Sequence, residues 1–590
     1  MGTAISGNVT VGLAGSTYSL GTLNFSNTAG TYNVGSSIND GTLLFQGGNT
    51  ITNSAAVTFI NSAVQMTGAT TINTSGILAM YGNISEAYYS TITKLGTGTL
   101  ILSGVNSFTG GVAISVGTVL VASNSALGSG STSVSSGASL DLFAGALVNP
   151  SNFSVGGTGV GGGGAIQSLA GSANTLTTGN MSLTANTLIT TTANLTINAP
   201  ITANYNLTNQ GSGNLTLANS LSGSGQVIQN GTGNLNFTGA SSIYPSALIA
   251  NAGNINLGLT GGSTVGSPLS VGGAGSTASI TLLGSNQIAS YETMTVGTLG
   301  TFNLNGYSNT LSSIALTAGT ITTGTGTLTL SSATPLTISA SGTASTINGN
   351  VVLSAYNPTV NGTASSSLTI NGALTSTSGL TKSGSGTLTL SGASSNVTSG
   401  TVTVSGGTLA LAKTGGALAI SSGTSLAINT GGTLLFQGSN QISASDPINL
   451  GGGKITAQSG SNSLGALTLS ASSTIDFSGA STSLKFADSS ATTWAGILTI
   501  DDWTSSDTLS FGTTASGLTT AQLNDISFNI GGTLYMGKIS SSGVVTPLVP
   551  VPEASPFLYL ALLLGLVFIT ELGCNFRKAP SDDNFQPGRP

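Results

Sequence analysis

The sequence predicts an all-β protein, a right-handed parallel β-helix, or β-solenoid, closed by a C-terminal capping module and followed by a single short transmembrane helix. Three observations lead there. A glycine-punctuated unit recurs about every twenty residues; short strands inside it alternate apolar and small polar residues; and only 4% of the 590 residues are charged while 39% are hydrophobic.

The composition bounds the class first. Charge far below the roughly 25% of ordinary soluble domains, with a mean hydropathy of +0.34, separates the chain from disordered polar tracts, which lack the aliphatic residues to fold. The 87 glycines follow no Gly-X-Y period and prolines number 14, so collagen is excluded. Thr, Ser, Asn, Leu, Val and Ile suit many short strands joined by tight turns.

The repeat comes next. Lys94-Leu95-Gly96-Thr97-Gly98-Thr99-Leu100-Ile101-Leu102-Ser103-Gly104 returns as Lys382-Ser383-Gly384-Ser385-Gly386-Thr387-Leu388-Thr389-Leu390-Ser391-Gly392, with reduced copies at 211–217, 231–237 and 324–330. A second strand signal follows each of three of these: Gly98 leads to Gly117, Gly233 to Gly253 and Gly386 to Gly407, a spacing that stays close to twenty. Another unit, 41–51, returns at 432–442 with a fragment at 283–288. Such a unit cannot bury its apolar face alone; stacked units share one continuous core. The period fits one coil with three short faces, with Leu, Val and Ile inward, Thr, Ser and Asn in outward ladders, and glycines supplying positive φ at the corners. Roughly 25 such coils give a rod on the order of 120 Å.

Residues 1–469 are therefore read as the solenoid. Four acids (Asp40, Glu86, Asp141, Glu292) precede Asp446; from Asp446 to Asp525 there are seven, with both tryptophans. That change marks 470–546 as a β capping module. Residues 547–556 form a Pro-rich link carrying Val551-Pro552-Glu553. Residues 557–570 are uncharged and apolar; extended through Cys574, the stretch 557–574 is read as a marginal membrane-spanning helix, since fourteen helical residues cover only about 21 Å of a ~30 Å hydrocarbon core. Residues 575–590, with Arg577-Lys578, form the tail, and the basic pair assigns it to the cytoplasmic side. Export calls for a basic region and an apolar core ahead of the rod, and residues 1–6 supply neither.

Two resemblances rest on these residues. The stretch 92–111 with Val116-Gly117-Thr118-Val119-Leu120 resembles the autotransporter-associated β-strand repeat, and 380–411 is a second copy. That resemblance implies a surface-exposed rod. The tail resembles the PEP-CTERM sorting signal, with Val551, Pro552 and Glu553 as the motif and Arg577 and Lys578 as the basic cluster; Ala554 stands where a second proline is usual, and twelve residues follow the cluster. This second resemblance implies an exosortase-like membrane transpeptidase as partner and display on the outer surface or in the extracellular matrix of a bacterium. Residues 473–546, with Ile475-Asp476-Phe477, Trp494 and 517–523, are similar to the module that often precedes this signal.

The chemistry expected is sparse. With no histidine and one cysteine, Cys574, neither a Ser-His-Asp or Cys-His arrangement nor a His-ligated or multi-thiolate metal site can be assembled. Nine basic residues in the whole chain make no phosphate-binding stripe, so nucleic acid is not an expected partner. The Gly-x-Gly pairs are not followed by a helix to hold a phosphate. Asp501, Asp502 and Asp507 are read as a solvated turn, and Lys94 and Lys382 as exposed strand-end residues. No catalytic residue, metal or cofactor is expected, and the function read is a structural or adhesive surface rod with exopolysaccharide as the candidate partner. Two alternatives stand beside it: a carbohydrate-active β-helix enzyme, which requires two carboxylates within about 5–10 Å on one face, or a polysaccharide-binding protein, and an autotransporter-like passenger.

Overall fold

The computed structural model describes residues 8–548, apart from 27–29, 144, 146, 149, 170, 339–343 and 364–365. The chain is a parallel β-solenoid of about 22 turns with almost no helix. One coil shows the plan. Leu207–Gly211 lies on face A, Leu215–Leu217 on face B and Leu221–Ser222 on face C, and Val227–Gln229 then begins the next coil directly above face A. Along the body of the stack, strands pair in parallel with counterparts one coil below or above, and most with both. At ~4.8 Å per rung the stack is about 100 Å long.

Coil length varies while the register holds. Thr99 pairs with Thr118, whereas Thr31 pairs with Val57, a distinctly longer step along the chain whose excess is absorbed at the corners. The alternation expected from sequence is the burial pattern observed. On face B the column Leu368, Leu388, Leu409, Leu434, Ile455, Ile475, Ile500 and Phe528 runs rung over rung with every member fully buried. An outward column on the same face reads Thr196, Thr216, Asn236, Asn256, Thr281, Asn303, Thr322, Asn348 and Asn371. Its side chains bond along the rod, with Asn256 Nδ2 donating to Asn236 Oδ1 at 2.7 Å and Thr322 Oγ1 to Asn303 Oδ1 at 3.0 Å. Like residues stack here because in-register parallel pairing sets identical groups one above the other.

Parallel stacking runs on through the acidic segment as far as Ile526–Ile530, which pairs with Leu498–Asp501. Between these two strands a short helix, Thr520–Asn524, is closed at its start by a capping box between Thr519 and Gln522. The chain then changes direction. Thr533–Ile539 runs antiparallel to Ile526–Ile530 and to Val544–Pro547, and Val544–Pro547 antiparallel to Thr508–Phe511. No helix among the described residues is long and apolar enough to cross a membrane. The proposed spanning stretch 557–574 and the sorting residues Val551, Pro552, Glu553, Arg577 and Lys578 lie outside the described residues.

Candidate functional site

The repeat lysines are where the structure departs most from the sequence reading. Lys94 and Lys382 are not exposed strand ends; both are fully buried. Each follows an inward residue by two, Ile92 and Leu380, so strand alternation turns it into the core side of the wall. Lys94 Nζ donates to the carbonyls of Leu95 (2.9 Å), Gly96 (2.7 Å) and, one coil up, Val116 (3.1 Å). Lys382 Nζ repeats this with Ser383 (2.7 Å), Gly384 (3.0 Å) and Gly406 (3.1 Å). The cage requires Gly117: its φ is +73°, and a Cβ there would strike the Gly96 and Gly98 carbonyls and crowd the ammonium. A third buried lysine, Lys413, donates to Gly372 O (2.6 Å) and Ser391 O (2.7 Å). Desolvation lowers all three to about 8.

Several acids brace corners. Asp40 accepts from Ser36 N and Oγ, Leu13 N and Gly15 N, and the Ser36 bonds above all hold its carboxyl down at about 2. Asp446 is buried and accepts from Gly423 N at 2.8 Å; burial raises its pKa. Asp141 is different. It sits between Leu120 and Gln167 on face A, where the glycine turn near Val160–Gly162 docks on Ser139 through Val160 N to Ser139 Oγ, 2.8 Å. Its Oδ1 is buried without a partner, and burial raises its pKa to about 6.

The run Asp501, Asp502, Asp507 is not one solvated turn. Asp507 is 6% exposed and accepts from Thr482 N (2.8 Å), Thr482 Oγ1, Thr504 N and Thr504 Oγ1. Burial pushes that carboxyl up, but the four hydrogen bonds outweigh it and leave it below the ordinary carboxylate value. Asp502 takes a turn position with φ of 54°, and Asp501 accepts from Asn529 Nδ2 at 3.1 Å. Among the described residues no group of three or more acidic, His or Cys side chains is placed to hold a metal ion.

What the fold does bring together is Asp476 and Asp501, register partners on adjacent rungs of face B, hence ~5 Å apart along the backbone. Lys454 pairs with Asp476 at 2.6 Å, and Asp476 Oδ1 is buried without a hydrogen-bond partner. Sequence reading misses this pair because the coil that separates the two residues is longer than the mean period. It also misses Lys413, although Leu409 and Leu411 place that lysine on the inward parity.

Comparison with known proteins agrees with the repeat assignment. Residues 92–121 and 380–411 match the family described as a passenger-associated-transport-repeat. Over 153 residues, 25% of this chain, the sequence is 34% identical to the Adhesin BmaC autotransporter of Brucella suis biovar 1 (strain 1330). The chain spans 4% of the length of that curated relative. No solved structure matches.

Proposed function

We propose that this chain is an exported bacterial surface rod of the autotransporter-passenger type, structural or adhesive in role, sorted through the PEP-CTERM-like signal at Val551, Pro552 and Glu553. One observation carries the reading. The two stretches that match the passenger repeat each span one coil and part of the next in a single continuous stack, and each is built around the same kind of lysine cage, in a chain that is also similar to an adhesin autotransporter. In this reading 470–546 cap the rod, the antiparallel strands offering no free parallel rung for aggregation. The stretch 557–574 anchors it transiently in the membrane, with Arg577 and Lys578 on the cytoplasmic side, until an exosortase-like transpeptidase processes it. The outward walls, nearly free of charge and rich in hydroxyls and amides, suit contact with extracellular polysaccharide better than with nucleic acid.

The test is localisation of the full chain and of a variant ending at Pro550, by fractionation and surface protease accessibility. Surface display that is lost on truncation supports the sorting signal; cytosolic protein in both cases overturns the export reading.

A second reading, a carbohydrate-active enzyme, is favoured by the Asp476 and Asp501 pair alone. Release of reducing ends from a polysaccharide by the wild type, abolished in Asp476→Asn and Asp501→Asn, supports it; no release by the wild type sinks it.

A further inference from the structure

The corner where face C turns into face A carries a line of exposed tyrosines. Tyr205 follows the face C strand Ile201–Thr202, Tyr244 ends the face C strand Ile243–Tyr244, and Tyr291 follows the bridge residue Ile288, which stacks on Val265 and, through it, on Ile243. Tyr356 follows Leu353 at the end of Ser345–Leu353. Their exposures are 47%, 50%, 68% and 88%. Counted by coils, Tyr205, Tyr244 and Tyr291 stand two rungs apart, about 10 Å, and Tyr356 three rungs beyond.

Between the tyrosines the corner is stripped down. Gly225 occupies it one coil above Tyr205, and Gly266 one coil above Tyr244. The Tyr244 ring and the Tyr291 hydroxyl both crowd the place a Cβ of Gly266 would take, so the two aromatics meet over bare backbone and form one continuous surface. At Tyr356 the same edge opens a shallow cavity of about 390 Å³ lined by uncharged polar groups, among them Asn357, Thr377, Ser378, Thr401 and Thr403. The one ionisable side chain other than tyrosine along this stretch, Glu292, is buried.

We infer that this tyrosine edge is a binding track for an extended, neutral, 1,4-linked β-glycan, whose chain lies along the rod axis. The inference names the partner class for the adhesive role proposed above and rests on that reading. Tyrosine offers an electron-rich face to the polarised C–H groups of a pyranose and a hydroxyl to its oxygens. Tyrosines set two coils apart along one corner, with the Tyr244 ring and the Tyr291 hydroxyl meeting at Gly266, fit a ribbon-like polysaccharide that presents equivalent sugar faces at every second sugar. Charge separates the alternatives: no lysine or arginine occurs anywhere between Tyr205 and Tyr356, so neither a polyanionic glycan nor a nucleic-acid strand finds the cations it needs.

The experiment is affinity electrophoresis of the purified full-length chain through gels with and without hydroxyethyl cellulose. The wild type is expected to be retarded by the glycan. The Tyr205→Ala, Tyr244→Ala, Tyr291→Ala, Tyr356→Ala quadruple variant is expected to bind at least roughly tenfold more weakly, each ring contributing a few-fold. A control lacking Tyr88, Tyr89 and Tyr307, which are exposed at a different corner, should be retarded like the wild type. If the quadruple variant loses its strand circular dichroism, the single variants Tyr291→Ala and Tyr356→Ala decide, each expected to weaken binding a few-fold. A wild type that runs unretarded, tyrosine variants that bind as it does, or a control that weakens equally would overturn the inference. Binding is read on purified protein, so a failure here leaves the export reading untouched, and a failure of export leaves this one standing.

Discussion

The ammonium of Lys94 reaches across a coil boundary to the carbonyl of Val116 at 3.1 Å, and Lys382 makes the same reach to Gly406. A charged side chain turned into the wall of an apolar rod is tolerated because it satisfies carbonyls that the glycine corner leaves without partners. The cage therefore explains two features of the repeat together, the lysine and the Gly-x-Gly that follows it.

Replacing Lys94 by Met keeps the aliphatic volume and leaves three corner carbonyls unsatisfied. We expect a local cost of about 1–3 kcal/mol. Because each coil contacts only its neighbours, the loss should be confined. Hydrogen exchange should speed up at 92–121 and remain unchanged at 380–411; uniform protection in both would refute the cage as a stabilising device.

The three buried lysines also set a pH dependence. Their folded values of about 8 lie below the ordinary 10.5, so between those limits the unfolded chain binds more protons than the folded one. Stability against denaturant should rise as pH climbs from about 8 to about 10.5. The Lys94→Met, Lys382→Met, Lys413→Met triple variant should lose that slope, and an unchanged slope would count against desolvation as the cause.

Asp141 has the opposite sign. Its folded value of about 6 exceeds the ordinary 3.8, so the folded state holds the extra proton and stability falls as pH rises from about 4 to 6. Asp141→Asn removes the buried charge and should raise the unfolding midpoint at pH 7 while changing little at pH 4. A lower midpoint at pH 7 would mean that the carboxylate has a stabilising partner.

Gly117→Ala tests the corner itself. The residue needs a left-handed conformation, and its new methyl meets backbone carbonyls, so about 1–3 kcal/mol of destabilisation is expected in chemical denaturation. Gly137→Ala provides the comparison: φ is again positive, at 86°, but no atom lies near a Cβ, so only the conformational part of the cost should appear.

Much of this molecule is legible in its sequence. Periodicity turns Leu388, Leu409 and Leu434 inward, because inward and outward alternate strictly along a strand, and the fold sets them in one column. Lys94 shares that parity with Ile92, yet residue type outweighs position in a sequence reading and sets the lysine outside. Asp501 and Asp507 show a different limit. They look like one cluster along the chain, but one faces Asn529 and the other Thr482 and Thr504, since a turn sends neighbours to different walls.

The sequence by itself determined the class, the coil period, the two repeat copies and the inward and outward alternation of the apolar residues. All of these follow from local alternation and spacing. Only the tertiary structure decided what stacks on what: Asp476 on Asp501, the lysine ammonium under the next coil's corner, and four tyrosines from four coils along one edge. Coil length is not constant, as the short step from Thr99 to Thr118 and the long one from Thr31 to Val57 show. Sequence distance therefore does not give the register, and backbone hydrogen bonding between rungs does.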